Sequence, residues 1–207
     1  MTTLSDRPTL STPAPADHRP STQVRALSVV AGGTLFAVGN LLHPLTHDET
    51  AHQSPTWVVA HVVFAIGALL IAAGMTVLTR RFAASRTGLV GLGITWLGMV
   101  LIPGGALMEA YVRPLMDHHG FMAIEEATLG FTMLAGTSNL VGPALIAIAA
   151  IRNRLLPLWV ALAIPGITVG ALLYPVLPKE GYGIIPGTVL FGIGIAAAGW
   201  LSRSPRD

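Results

Sequence analysis

Residues 56–79 read TWVVAHVVFAIGALLIAAGMTVLT, a run in which His61 is the only ionisable side chain. A stretch of this length without Asp, Glu, Lys or Arg reads as a transmembrane helix. About 20 apolar residues, rising about 1.5 Å each, cross the roughly 30 Å hydrocarbon core of a bilayer. Five more runs are long and mostly apolar, at 24–43, 88–110, 127–151, 156–175 and 183–202, with Arg25 and Glu109 near the ends of the first two. The composition agrees: 52% of residues are hydrophobic, only 11% are charged, and the mean hydropathy is +0.66, which a soluble domain of this size could not sustain.

The sequence therefore predicts an all-α, polytopic integral membrane protein, a six-transmembrane-helix bundle over residues 24–202. Residues 1–23 are rich in Ser, Thr and Pro without apolar periodicity, so they cannot bury enough surface to offset ordering and read as a disordered cytoplasmic tail. Residues 203–207 form a second cytoplasmic tail. The first 23 residues lack the pattern of a signal peptide, so the span at 24–43 is expected to be retained. Ser54-Pro55 and Thr87 are read as start signals of the second and third spans, with Pro157 and Pro186 near the starts of the last two.

Lys and Arg distribute unequally between the loops. Arg7, Arg19, Arg25, Arg80, Arg81, Arg86, Arg152, Arg154, Arg203 and Arg206 fall on one side, Arg113 and Lys179 on the other. The positive-inside rule then places both termini in the cytoplasm of a bacterial cell, with the chain multi-pass in the inner membrane. These basic residues orient spans, so nucleic acid is not an expected partner. Trp57, Tyr111, Tyr174 and Tyr182 are expected at the outer interface, with Trp159 and Trp200 at the inner one. Asn40-Leu-Leu-His-Pro44 and Asn139-Leu-Val-Gly-Pro143 occupy corresponding positions of oppositely directed spans, the arrangement of an inverted repeat, although three matched residues do not establish one.

Chemistry concentrates on the outer side, which holds six of the seven histidines and seven of the ten acids. The connection from Asn40 to His61 carries His43, His47, His52 and His61. His61 lies six residues into the second span, about 9 Å below its start, where an ionisable group faces a bundle interior or a wet cavity. His43 ends the first span one turn beyond Asn40, and Trp57 stands one turn before His61. Thr46-His47-Asp48-Glu49 has capping-box spacing, and His47 and His52 are read as solvated. The next outer connection, Met108 to Met122, adds Glu109, Arg113, Asp117, His118 and His119. Glu109 and Arg113 are spaced for a helix-surface pair. Glu125 and Glu126 are placed at a helix start, which favours negative charge. Asn40, Thr137, Ser138 and Asn139 are the notable deep polar residues.

Other chemistries lack their parts. There is no cysteine, hence no thiolate ligand or nucleophile. No span has a carboxylate, Lys or Arg at its centre, and no phosphate-cradling Gly-rich loop is present, which argues against ion-coupled transport and ATP hydrolysis.

Three functional readings follow. In the first, an outward-facing polar cavity binds a cofactor through imidazoles. Haem b would be held by His43 and His61, with Asn40 and Trp57 beside it, or copper or zinc would be bound by His43, His61, His118 and His119. In the second, the protein is an enzyme acting on a lipid or isoprenoid, with Glu109 or Asp117 as acid and an imidazole as its partner; this reading expects an apolar pocket with an acid at its mouth. In the third, the chain is a non-catalytic scaffold or subunit that contacts a membrane-protein partner or another copy of itself.

Overall fold

The computed structural model describes residues 21–44, 50–173, 176 and 184–203. Every element among them is helical. In order they are α1 (Thr22–Leu42), a 3-10 turn (Ala51–Gln53), α2 (Trp57–Gly74), α3 (Thr76–Phe82), α4 (Arg86–Leu107), a π-turn (Met108–Val112), a 3-10 turn (Arg113–Leu115), α5 (His118–Ala127), α6 (Leu129–Arg152), α7 (Leu158–Ala163), α8 (Gly166–Leu173) and α9 (Ile184–Leu201). Residues 1–20, the 46–49 capping box, Tyr174, Lys179, Glu180, Tyr182 and residues 204–207 lie outside the described residues.

Among the described residues five helices are long and apolar enough to cross a membrane: Thr22–Leu42, Trp57–Gly74, Arg86–Leu115, Leu129–Arg152 and Ile184–Leu201. The expected fifth span, 156–175, is instead two short helices. Pro165 supplies no N–H and its ring crowds the preceding turn, so α7 stops at Ala163 and α8 restarts at Gly166. Together Leu158–Leu173 form a shorter apolar stretch of about 24 Å at about 1.5 Å per residue.

Start signals shifted by a few residues. Ser21 caps α1, accepting from the Val24 N–H at 3.3 Å, so Thr22 and Gln23 belong to the helix and not to the tail. Ser85 caps α4 in place of Thr87, accepting from the Gly88 N–H at 3.2 Å. Ser54 and Pro55 form a turn ahead of α2, which begins at Trp57. α5 is a further helix, between the expected third and fourth spans. Asp117 caps it, with Oδ1 accepting from the Gly120 N–H at 2.8 Å, and Phe121 is its buried residue. Glu125 and Glu126 consequently sit in the last turn of α5, not at a helix start.

Lipid tails are as apolar as leucine, so helices inside a bilayer associate through close packing and not through the hydrophobic effect. Glycine supplies that packing here. A Cβ on Gly32 would stand 2.5 Å from the Ile71 nitrogen, and one on Gly67 2.5 Å from the Phe36 nitrogen, so α1 and α2 touch backbone to backbone. Gly33 and Gly192 do the same between α1 and α9, Gly166 and Gly187 between α8 and α9, and Gly91 and Gly142 between α4 and α6. Phe36 then fills the centre, meeting Phe64 and Phe191 edge to face at 6.1 and 5.5 Å.

The two ends of the bundle differ. One carries His43, His61, Glu109 and Arg113; the other carries the remaining arginines among the described residues. At the arginine end, Arg81 donates to the Leu155 carbonyl at 3.0 Å, to Ser202 Oγ at 3.2 Å and to the Leu201 carbonyl, satisfying acceptors left over at the C-terminus of α9.

Gly67→Ala is expected to destabilise the protein by about 1–3 kcal/mol, since the new methyl meets backbone that cannot step aside. Gly93→Ala, where nothing stands within 4 Å of the added Cβ, is expected to be neutral or mildly stabilising. Thermal unfolding of the two variants in detergent checks both.

Candidate functional site

α1 ends at the histidine end with His43 as its C-cap, the His43 N–H donating to the Asn40 carbonyl at 3.3 Å. The His43 ring lies 2.8 Å through Nδ1 from the Pro44 carbonyl, and the His61 ring 2.8 Å through Nδ1 from the Trp57 carbonyl. A carbonyl only accepts, so both imidazoles donate from Nδ1. His61 is buried, at 3% exposure. Burial holds His43, just beyond the end of α1, below the ordinary imidazole value, opposed by its bond to Pro44.

The two rings meet directly, with centroids 4.9 Å apart, and Trp57 packs on both, 5.2 Å from His43 and 4.4 Å from His61. Trp57 is therefore not the interfacial aromatic the sequence suggested. It is completely buried, and its indole Nε1 donates to the Glu109 carbonyl at 2.7 Å, across 52 residues of chain. Trp159, Trp200 and Tyr111 are exposed, as expected of interfacial aromatics.

α4 prepares the position of Glu109. Pro103 removes one helical hydrogen bond, Gly104 makes room for the Phe131 ring, and the helix then widens into the π-turn Met108–Val112. Such π segments often mark functional sites. Here the turn presents Glu109 to the bundle interior while Trp57 anchors its backbone.

Glu109 lines a cavity of about 370 Å³ between α4 and α6 on one side and α1, α2, α8 and α9 on the other. Its wall is mainly apolar, with Phe36, Phe64, Ile102 and Phe131 prominent, and its few polar side chains include His61, Glu109, Asn40 and Asn139. Asn139 lies ten residues along α6, so the cavity reaches about 15 Å in from the start of that helix. The paired asparagines noted in the sequence behave alike: Asn40 Nδ2 donates to the Phe36 carbonyl at 2.8 Å and Asn139 Nδ2 to the Ala135 carbonyl at 2.9 Å, each one turn back on its own helix. Ser138 is buried, whereas Thr137 faces outward.

A second, polar cleft of about 160 Å³ lies beside the first, lined by His52, Arg113, Met116, Asp117, His118 and Phe121. His52 is half-buried there, not a solvated loop residue, and its Nδ1 has no hydrogen-bond partner among the described residues. Arg113 Nε stands 3.8 Å from Glu109 Oε2, with the guanidinium over the Phe121 ring at 4.9 Å. The side chains of Glu109 and Arg113 are only 21% and 13% exposed, so this is a half-buried pair and not the surface pair suggested by its spacing.

The candidate ligands thus divide. His43, His61, Trp57 and Asn40 gather around one end of the apolar cavity, while Asp117 and His118 line the cleft. The His118 and His119 rings are 6.1 Å apart on exposed positions of α5. Among the described residues no group of three or more histidines and carboxylates is placed to hold a metal ion. His43 and His61 alone are one short of the three protein ligands of a catalytic zinc site. Haem between them needs a slot for the macrocycle, and the rings are already in contact.

Comparison with protein-family models, curated proteins and solved structures gave no match.

Trp57→Phe keeps most of the packing but strips the Glu109 carbonyl of its indole donor. It is expected to cost about 1–3 kcal/mol, read in a denaturant titration of the detergent-solubilised protein.

Proposed function

We propose that this chain is a multi-pass protein of the bacterial inner membrane that binds a lipid- or isoprenoid-like molecule in the apolar cavity and acts on it with Glu109 as acid and His61 as its imidazole partner. The observation that carries this reading is the cavity itself: an apolar chamber between the helices, open along one side, with a carboxyl and an imidazole on its wall. An apolar chamber is the complement of a hydrocarbon chain, and few polar groups are needed to orient the reacting end. Glu109 can give or take a proton at that end, and the His61 imidazole, oriented by the bond from Nδ1 to the Trp57 carbonyl, is the second group on the wall that can carry one. Asp117 has a lesser claim as the acid, because its carboxylate already caps α5 and lines the other cleft.

Topology fits this assignment. With α7 and α8 counted as one broken crossing, six passes bring both termini to the arginine-rich side, which the positive-inside rule places in the cytoplasm. The cavity then opens in the outer half of the membrane, so its ligand comes from the outer leaflet.

Two experiments test the proposal. Mass spectrometry of lipids retained by the purified protein is expected to find one amphiphile class, absent from Gly136→Phe. Gly136 lines the cavity and nothing lies within 4 Å of an added Cβ, so the ring can fill the chamber without displacing backbone. Glu109→Gln is expected to retain the molecule while turnover is lost. Identical lipids in the wild type and Gly136→Phe, or full activity of Glu109→Gln, would overturn the reading.

Because the chain has no cysteine, single cysteines report orientation. An impermeant maleimide applied to intact cells is expected to label Leu115→Cys and to spare Ala84→Cys. The reverse pattern would invert the topology.

A further inference from the structure

Glu109 and Arg113 stand where the two cavities adjoin. Glu109 lines the apolar chamber and Arg113 lines the polar cleft, and the two side chains approach to 3.8 Å, beyond hydrogen-bond reach. Both facing atoms are buried, and neither Glu109 Oε2 nor Arg113 Nε has a hydrogen-bond partner among the described residues. His52 Nδ1, on the wall of the same cleft, is in the same condition. Buried polar atoms are almost always satisfied, so three on one boundary require an account.

We propose that the chamber and the cleft are two halves of one binding site for a single-chain amphiphile with a neutral, hydroxyl-bearing head, whose hydroxyl bridges Glu109 and Arg113. The inference rests on the chamber holding an apolar chain and adds the chemistry of the head.

The choice of head follows from what each atom needs. Arg113 Nε–H only donates, whereas Glu109 Oε2 accepts when the carboxyl is ionised and can donate when it is protonated. A group bridging them must accept from Arg113 and either donate to or accept from Glu109, which a hydroxyl does with a single oxygen in both protonation states of the acid. A phosphate is a poorer match. Its charge would meet the Arg113 guanidinium, but the Glu109 carboxylate is already 3.8 Å from that cation and the Asp117 carboxylate lines the same cleft. A quaternary ammonium head has no N–H to donate to Glu109 and would face the Arg113 cation. The cleft is small, about 160 Å³, which suits a glycerol-sized head and not a large sugar assembly. His52 Nδ1 can donate or accept according to tautomer, so a second hydroxyl can satisfy it. Phe121, buried beneath the guanidinium, holds Arg113 at the boundary.

The test measures binding of three probes of equal chain length to the full-length protein in nanodiscs: a monoacylglycerol, the fatty-acid methyl ester and a lysophosphatidic acid. Each is titrated against the wild type, Arg113→Met and Gly136→Phe. The wild type is expected to bind the monoacylglycerol at least about tenfold more tightly than either other probe, because the methyl ester has no hydroxyl to donate to Glu109 and the phosphate of the lysophosphatidic acid brings negative charge beside the Glu109 and Asp117 carboxyls. In Arg113→Met this preference is expected to collapse, with methyl-ester affinity unchanged. A substitution that merely loosened the fold would weaken both probes alike. Gly136→Phe is expected to abolish binding of all three.

The outcomes separate the two proposals. If Gly136→Phe removes binding but the wild type does not prefer the hydroxylated probe, or prefers the phosphate, the head assignment falls and the apolar chamber stands as the chain site. Unaltered binding in Gly136→Phe, or no binding of any probe to the wild type, overturns both. A preference that persists in Arg113→Met overturns the bridging role of that pair.

Discussion

Backbone-to-backbone contact between helices, permitted by glycine, is the constraint on which the structure rests. Where burial of apolar surface gives no net gain, helices must come close enough for many dispersion contacts and for side-chain hydrogen bonds such as Ser28 Oγ to the Leu70 carbonyl at 2.8 Å. Gly32 and Gly67 bring α1 to α2; Gly33 and Gly192 bring α1 to α9; Gly166 and Gly187 bring α8 to α9. These three seams join α1, α2, α8 and α9 into one packed set. Gly91, Gly98 and Gly142 make α4 and α6 a second set, tight enough that Asn139 Oδ1 rests against Gly98.

The chamber is a consequence of that division. Between the two sets the facing residues near the histidine end include large ones, such as Phe64, Leu101, Ile102 and Phe131, whose bulk holds the helices apart. Glycines such as Gly105 and Gly136 on the same wall offer no side chain to fill the gap. Polar residues then decide which part of the space is reactive. His61 enters because it lies one turn inside α2, and Glu109 enters because the helix that carries it is rewound by Pro103 and the π-turn.

Much of this was legible from the residues alone. Long runs without charge gave the apolar helices, and the burial of His61 followed from its depth within such a run. Other features depend on partners far along the chain. Nothing near Trp57 announces that its indole will meet the carbonyl of Glu109, so it read as an interfacial aromatic. The spacing of Glu109 and Arg113 was visible, but their burial depends on Phe121, in a helix whose signal was only an aspartate cap and a single buried aromatic. The imidazoles were read as ligands because histidine chemistry invites it; whether two rings hold an ion or pack on each other is decided in three dimensions. The break at Pro165 was obscured because apolar composition continues through it.

The two ends of the bundle are tied by different means. At the arginine end one guanidinium holds α3, the turn after α6 and the end of α9 together. At the histidine end the Trp57 indole holds α2 to the π-turn that follows α4, through the carbonyl of the same residue whose side chain lines the chamber. The latch and the carboxyl thus share one residue: any parting of α2 from that turn moves Glu109 as well, so the width of the chamber at this end and the place of its carboxyl are set together.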